Sequence, residues 1–197
     1  VCFVEDDNFI FPYALRKCHN FLEKNKDFIS CNGKSFLFGK KNNKNFQYLN
    51  FYNSPNSIIS NNFNERNVKY NGALCYYSLF RSNYFIEITK KINLIEDDNL
   101  SEVFFNYMAL KLGKNYQVND LYLAREHPRP KIYNIPNRRT WLKNNNLLVD
   151  INIIIDELTR SCENVDEILS NSIYKYLSLR LLQKNHSFFN VYLIRIK

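Results

Sequence analysis

The chain has 197 residues, enough for one domain with a sizeable core, and a formal net charge of +8. Its apolar content of 45% and aromatic content of 16% exclude an intrinsically disordered chain. No run of about 18 apolar residues occurs, so the sequence predicts no transmembrane helix, and its start does not resemble a signal peptide.

Five cysteines are widely scattered along the chain: Cys2, Cys18, Cys31, Cys75 and Cys162. No pair has Cys-x-x-Cys spacing, and each cysteine has apolar neighbours. We therefore expect buried free thiols in a reducing compartment, which predicts a cytoplasmic protein. The positive charge suits an anionic partner, but much of it comes from lysines interleaved with asparagine, so nucleic acid is not the expected partner.

The first dozen residues combine an apolar run with a cluster of acids. Residues 1–4 predict a strand buried on both faces. Three acids and an amide follow in residues 5–8, at the strand end where open α/β sheets bind ligands. Strand-like alternation would point Glu5 and Asp7 the same way, so that both carboxylates could share one divalent cation. Asp6 and Asn8 are expected to support them or to form the turn.

The next segment predicts a helix and a hairpin. Pro12 suits a first helical turn, and apolar residues recur at helical spacing over residues 12–24. A short strand is predicted over residues 28–31, with Gly33 as a turn into a second strand at residues 35–38. Residues 39–69 are rich in Asn, Lys and Ser and predict isolated strands only.

Apolar patterning returns after Gly72 and Ala73 with a predicted strand over residues 74–81, which ends at Arg81. Helices are predicted over residues 84–91 and from the acidic run at residues 96–102 to a stop at Gly113.

Within that acidic run, Asn99 and Glu102 have the spacing of a capping box, in which the glutamate would satisfy a backbone amide. Strands over residues 116–118 and 121–123 then lead to Arg125 and His127. Residues 147–158 and 168–181 predict two amphipathic helices in the tail.

The pattern from Phe3 to Pro12, apolar strand, acid-x-acid, aromatic residue, proline and helix, resembles the metal-binding strand end of GT-A glycosyltransferases, especially the family-2-like group. An acidic helix start before Gly113 and the Leu-Tyr-x-x-Arg-x-His order around Arg125 resemble the same group. The resemblance implies an α/β fold of GT-A type, a Rossmann-like mixed sheet with flanking helices and a helical tail. It covers residues 1–130, and residues 131–197 would form the helical extension packed on that domain.

The resemblance also implies a set of site residues. Asp7, Glu5 and His127 would hold Mn²⁺ or Mg²⁺, and Arg125 and His127 would contact the donor diphosphate. Glu102 would be the catalytic base, with Asp97 and Asp98 as alternatives one helical turn away. The acceptor side is assigned by resemblance to Gly72, Ala73 and Arg81.

Each of these assignments has a structural alternative. Glu102 is equally well explained as the capping-box residue, and His127 as a hydrogen-bonded loop residue. Gly72 and Ala73 also fit an ordinary turn. The basic residues between positions 125 and 143 fit a solvated face, a cover for the diphosphate, or a contact with an anionic membrane surface.

The implied function is metal-dependent, inverting transfer of a sugar from a nucleotide-sugar donor, such as a UDP-sugar, to a hydroxyl of a glycan, lipid-linked or protein acceptor. Strands that bind the nucleotide base in this group would precede Val1, so we expect an N-terminally truncated, inactive fragment. Two other classes remain: a basic nucleic-acid-binding or scaffolding domain, and a metal-dependent phosphoryl-transfer enzyme.

Overall fold

The computed structural model of the chain is an α/β fold in which helices flank one mixed, open β-sheet. The structure describes residues 1–6, 8–42, 45–52, 54–70, 75–126 and 145–160. This architecture confirms the α/β class expected from the sequence and is compatible with a Rossmann-like arrangement.

The centre of the sheet is a parallel pair of long strands, β2 (Phe28–Asn42) and β5 (Lys114–Glu126). β1 (Asn8–Ile10) pairs antiparallel with the outer side of β5. β3 (Asn45–Tyr52) and the short β4 (Leu79–Phe80) pair antiparallel with the outer side of β2. β4 lies beside the beginning of β2 and β3 beside its end, so the order across the sheet is β1, β5, β2, β3.

The described part of the chain contains five α-helices: α1 (Pro12–Lys24), α2 (Phe63–Lys69), α3 (Ser82–Ile92), α4 (Asp98–Leu112) and α5 (Asn145–Thr159). A single 3-10 turn, Cys75–Tyr77, precedes β4. Residues 103–110 of α4 are all buried, because α2, α3 and α5 pack around that helix. α4 is therefore the central helix of the larger hydrophobic core.

A second, smaller core lies between α1 and the sheet. Ala14, Cys18 and Leu22 lie on one face of α1, and they pack against Cys31 of β2 and Tyr122 of β5. The spacing of three to four residues is what places these side chains on one helix face. Pro12 occupies the first turn of α1, so the predicted helix over residues 12–24 is confirmed with the same bounds.

Two strand predictions near the N-terminus are wrong. Residues 1–4 are not a strand buried on both faces, since Val1 and Val4 are exposed and only Val1 exchanges backbone hydrogen bonds, with Phe80. Gly33 is not a turn, because β2 continues through it without interruption. A Cβ at position 33 would lie 2.7 Å from Cβ of Tyr122, so glycine here permits close approach of β5.

Three further segments differ from their predicted structure. Residues 116–118 and 121–123 belong to the single strand β5, whose irregular pairing with β2 interrupts the apolar alternation. The strand predicted over residues 74–81 is reduced to β4, with the 3-10 turn before it. Residues 39–69 contain the end of β2, all of β3 and helix α2.

The helix predicted over residues 147–158 is confirmed as α5, and the one expected over residues 168–181 lies outside the described residues. Within the described residues, no helix is both long enough and apolar enough to cross a membrane. Cys18, Cys31 and Cys75 are buried free thiols as expected, and Cys2 is a partly buried one.

Glu157 attaches α5 to the body of the fold. Its carboxylate accepts hydrogen bonds from Lys91 Nζ at 2.8 Å, and its side chain is 11% exposed. Burial alone would raise the pKa of Glu157, but the hydrogen bond and charge of Lys91, with the charges of Arg160 and Lys111, hold it below its ordinary value. The pair therefore stabilises the protein above the ordinary glutamate pKa of about 4.3, and this contribution is lost as the pH falls through the lower, folded-state pKa.

We predict that Glu157→Gln lowers the free energy of unfolding by about 2 kcal/mol at pH 7, because a buried charged hydrogen bond is lost. The difference from the wild type should begin to shrink as the pH falls below the ordinary glutamate pKa of about 4.3, and it should disappear once Glu157 is protonated in the folded wild type as well. Urea unfolding at pH 7 and pH 3 measures both quantities.

Glu23→Gln is the matched control, since its pair with Lys26 is exposed at both side chains, 55% and 67%. That variant should change stability by less than about 1 kcal/mol. Equal effects of the two substitutions would contradict the assigned role of Glu157.

Candidate functional site

The structure describes six of the ten residues that the sequence singled out: Glu5, Arg81, Asp97, Asp98, Glu102 and Arg125. The other four, Asp7, Gly72, Ala73 and His127, lie outside the described residues.

A turn, and not a strand, connects Glu5 with Asn8. The backbone N–H of Asn8 donates to the carbonyl of Glu5 at 3.1 Å, and β1 begins only at Asn8. Asn8 then pairs with Arg125, near the carboxyl end of β5. The predicted location beyond a strand end is therefore retained, but the strand is β5 rather than residues 1–4.

Glu5, Asn8, Tyr77 and Arg125 form what we call the Glu5 cluster. Oε2 of Glu5 accepts hydrogen bonds from Nδ2 of Asn8 at 3.1 Å and from Nη2 of Arg125 at 3.4 Å. The guanidinium carbon of Arg125 lies 5.5 Å from the centre of the Tyr77 ring. One carboxylate is thus held by an amide and an arginine that stacks on an aromatic ring.

The Tyr77 hydroxyl completes the set of groups around Glu5. Burial raises the pKa of Tyr77, and a hydrogen bond to Glu5 together with the Glu5 charge raises it further. The charge of Arg125 and a hydrogen bond with Asn8 act in the opposite direction. The net effect keeps Tyr77 protonated at neutral pH, so its hydroxyl is a neutral donor.

Tyr76 connects the Glu5 cluster with Glu102. Burial raises the pKa of Tyr76, and the charges of Glu102 and Glu5 both raise it further. The Tyr76 ring stacks on Phe3 at 4.2 Å between centroids and contacts the edge of Phe105 at 5.1 Å. The structure therefore brings Glu5, Arg125 and Glu102 to one region of the molecule.

Asn106 fixes the distance between α4 and the 3-10 turn. This residue is 3% exposed, and its Nδ2 donates to the carbonyl of Glu102 at 2.8 Å while its Oδ1 accepts from the backbone N–H of Cys75 at 2.6 Å. One buried amide thus links the backbone that carries Glu102 to the turn that carries Tyr76 and Tyr77.

The start of α4 corrects the predicted capping box. Asp97, not Asn99, is the N-cap, and its side chain accepts from the backbone N–H of Leu100 at 2.9 Å. Glu102 lies beyond the first turn of α4, so it is not the capping-box glutamate. Asp150 of α5, which is 2% exposed, accepts from the backbone N–H groups of Glu96 and Asp97 and holds this helix start in place.

Arg81 does not join the Glu5 cluster. Its guanidinium donates to the carbonyls of Leu22 and Asn25, at the end of α1, and to the carbonyl of Phe28. α1 is about 20 Å long and begins beside β1, so Arg81 lies at the far end of that helix from the acids. Its observed role is to satisfy the last carbonyls of α1.

No group of three or more His, Cys, Asp and Glu side chains suited to a metal ion occurs among the described residues, which do not include Asp7 and His127. One oxygen atom of the Glu5 cluster is nevertheless unusual. Oδ1 of Asn8 is fully buried and has no hydrogen-bond partner among the residues that the structure describes. Buried polar atoms are almost always paired, so this oxygen is an exception among the described residues, together with Oδ1 of Asn32 and Oδ1 of Asn67.

Sequence patterns did not reveal Tyr76, Tyr77 or Asn106 as site residues. The two tyrosines fall in an apolar run that predicts a strand, and such a strand would have directed them to opposite faces. Asn106 is a polar residue within the apolar run of α4, and that mismatch was the available signal.

No protein-family model matches this chain, and no curated protein or solved structure matches it either. A functional assignment therefore depends on the residues and on the geometry described above.

We predict that Asn106→Ala lowers the free energy of unfolding by about 1 to 3 kcal/mol, because the N–H of Cys75 and the carbonyl of Glu102 each lose a buried partner. Urea unfolding measures this loss. Asn50→Ala is the control, since Asn50 is exposed on β3, and its effect should stay within about 0.5 kcal/mol. A comparable stability of the two variants would show that Asn106 does not join α4 to the 3-10 turn.

Proposed function

We propose that this chain contributes the catalytic region of a GT-A-type glycosyltransferase, which moves a sugar from a nucleotide-sugar donor to an acceptor hydroxyl with a divalent cation. The observation that carries the proposal is the convergence of Glu5, Arg125 and Glu102 around the Tyr76–Tyr77 pair. These residues come from four separate segments of the chain, and the resemblance had assigned a role to each of the three charged ones. A mixed open sheet with flanking helices is the architecture that the same resemblance implies.

The donor atoms fit Mn²⁺ or Mg²⁺, which prefer carboxylate and amide oxygens. Asp7 and Glu5 are the carboxylates of the ligand set that the resemblance implies. His127, two residues after Arg125, is the further ligand that the resemblance implies. When bound, such a cation would act as a Lewis acid on the leaving diphosphate.

The described residues would supply the remaining functions of the reaction. Arg125 places a permanent positive charge beside the acids, where it stabilises negative charge on a departing diphosphate. Glu102 is exposed, so it can reach an acceptor hydroxyl and take its proton as the hydroxyl attacks the anomeric carbon. Asn106 would hold Glu102 in position, because it joins the backbone of Glu102 to the turn that carries Tyr76.

Glu102 is the stronger candidate for the base among the three acids of this segment. The Asp97 carboxylate is committed to the N-cap hydrogen bond with Leu100, and its replacement would destabilise α4. Asp98 lies one turn before Glu102 on the same helix. Glu102 is exposed, whereas the Asp97 carboxylate is committed to the start of α4.

We predict that Glu102→Gln lowers kcat for sugar transfer at least 100-fold with little change in KM for the donor, because only proton removal from the acceptor is lost. The measurement is transfer from a panel of nucleotide sugars by the full gene product that contains this chain, with Mn²⁺ or Mg²⁺. Asp7→Asn should abolish metal-dependent turnover in the same assay.

Asp98→Asn is the control for this experiment, since it removes a neighbouring carboxylate from the same helix. Full activity of Glu102→Gln together with inactivity of Asp98→Asn would move the base by one turn. Hydrolysis of a phosphoester or nucleic acid without any sugar transfer would replace the proposal with phosphoryl-transfer chemistry.

A second candidate function, binding of single-stranded nucleic acid, is favoured by an aromatic row on the sheet. We use this name for Phe9, Phe11, Phe36, Tyr48 and Phe51, whose successive ring centroids lie 5.1, 6.1, 6.0 and 5.9 Å apart. Three of these rings are more than half exposed. Exposed aromatic rings in a positively charged protein are the elements on which single-stranded bases stack.

The register of the sheet explains the aromatic row. Phe9 and Phe36 both pair with Ala124, and Phe51 pairs with Phe36. Leu49 is an extra residue on β3, because Leu37 pairs with Asn50 and Phe38 with Tyr48. This bulge directs Tyr48 to the same face as Phe51.

If the second function holds, the double substitution Tyr48→Ala and Phe51→Ala should weaken binding of a fluorescent oligo(dT) at least 10-fold, because stacking contributes about 1 to 3 kcal/mol per base. Fluorescence polarisation at several salt concentrations measures this. Tyr13→Ala, which removes an exposed ring outside the row, is the control and should have no such effect. Absence of salt-dependent binding by the wild type would exclude this function.

A further inference from the structure

The outer edge of β3 has no partner among the described strands. β3 has eight residues and pairs with β2 on one side only. At the opposite end of the sheet, β1 has only three residues. A strand edge presents unpaired N–H and C=O groups to which another strand can bind, so proteins usually keep such edges short or protect them with charged residues or proline.

β3 lacks these protections. Its sequence, Asn45–Tyr52, contains no charged residue and no proline. The side chains of Tyr48, Leu49, Asn50 and Phe51 are all exposed. The backbone edge and the apolar side chains of this strand are therefore both accessible to a partner.

The bulge at Leu49 limits which partner can pair with β3. A bulge bends a strand and increases its local twist, so a regular strand does not follow its edge closely. A second copy of β3 carries the same bulge at the same place. The geometry therefore favours a second copy of this chain over an unrelated extended peptide.

The positions of Tyr48 and Phe51 meet the requirement of a two-fold symmetric contact. Both residues lie on the same face of the sheet, since Tyr48 pairs with Phe38 and Phe51 with Phe36. Residues directly opposite each other in an antiparallel pair also share a face. An antiparallel second copy can therefore place its Phe51 opposite Tyr48 and its Tyr48 opposite Phe51, the exchange that a two-fold axis demands.

The charge at one end of β3 favours the same direction. Lys40 and Lys41, near the end of β2, lie beside the beginning of β3. Parallel pairing of two β3 strands would bring these lysines of both copies together, and like charges opposite each other are destabilising. Antiparallel pairing puts them at opposite ends of the contact.

We propose that two copies of this chain pair antiparallel along β3, with Tyr48 of each copy opposite Phe51 of the other. The two sheets then form one continuous sheet, and the two aromatic rows join on one of its faces. That face stays exposed in the dimer. The proposal goes beyond the proposed function and does not depend on sugar transfer or on nucleic-acid binding.

The area available predicts a weak dimer. Tyr48 and Phe51 are 54% and 65% exposed. Aromatic side chains carry about 150 to 250 Å² each, so the four rings of a dimer can bury roughly 500 Å² at most. Stable complexes bury about 1,200 to 2,000 Å². We therefore expect a concentration-dependent dimer rather than a permanent one.

Sedimentation velocity of the full gene product that contains this chain, between about 1 μM and 1 mM, measures the association. Asn50→Lys should weaken it at least 10-fold. In the proposed register Asn50 lies opposite Leu49 of the second copy, next to the two-fold axis, so the two introduced lysines lie close together and repel. Asn50 is exposed, so the folded monomer should tolerate the substitution.

Asn50→Glu should weaken the association in the same way, since two carboxylates then repel across the axis. An equimolar mixture of Asn50→Lys and Asn50→Glu should associate within about threefold of the wild type, because opposite charges then face each other. Asn20→Lys is the matched control, since it adds the same charge at an exposed position of α1. It should leave the dissociation constant of the dimer within about twofold of the wild type.

A wild type that stays monomeric over the whole concentration range would overturn the inference. An equal effect of Asn20→Lys would do the same, as would a mixture that associates no better than its two components, since the loss would then not come from contacts across a two-fold axis. Association that occurs only with added oligo(dT) would make nucleic acid the partner of this edge and would also overturn the pairing. Absence of sugar transfer by the wild type changes none of these measurements, so failure of the proposed function is distinguishable from failure of the dimer.

Discussion

The hydrogen bonding of β5 on both of its sides is the constraint on which the candidate site depends. Residues 123–125 pair with β1 on one side and with β2 on the other, so the backbone that carries Arg125 is held by two ladders. Tyr122, a residue of the same strand, is 1% exposed, and its hydroxyl donates to the carbonyl of Tyr77 at 2.9 Å. β5 thus carries Arg125 itself and holds Tyr77 through the hydrogen bond to the Tyr77 carbonyl. Side chains supported by rigid strands are held more precisely than side chains on loops.

Glu5 and Glu102, the two glutamates near this strand, have different surroundings. Glu5 contacts an arginine, and the Coulomb attraction of an ion pair at 3.4 Å compensates its charge. Glu102 is exposed, and its charge adds to burial in raising the pKa of Tyr76. Charge compensation and exposure therefore distinguish the two glutamates.

Local features of the chain were predictable from sequence, and long-range ones were not. Pro12, the apolar face of α1 and the stop at Gly113 act through neighbouring residues, and the helices they define were found with accurate bounds. The ion pair of Glu5 with Arg125 joins residues separated by 120 positions, and only the resemblance suggested that both belong to one site. The 3-10 turn at Tyr76 was missed because a short apolar run does not distinguish a strand from other buried structure. The Asn99 cap was misplaced by two residues because three successive residues, Asp97, Asp98 and Asn99, are all acceptable N-caps.

Helix α5 contributes to the candidate site although none of its residues lies in it. The buried carboxylate of Asp150 accepts from two successive backbone N–H groups, those of Glu96 and Asp97, where the chain enters α4. A negative charge at this end of a helix is also stabilised by the helix dipole, so the contact is favourable on two counts. Since α4 begins at this point and Asn106 ties its next turns to the 3-10 turn, the direction of α4 is set at both places. The position of Glu102 relative to the Glu5 cluster is therefore a property of the whole assembly of α4, α5 and the sheet, rather than of the acidic segment alone.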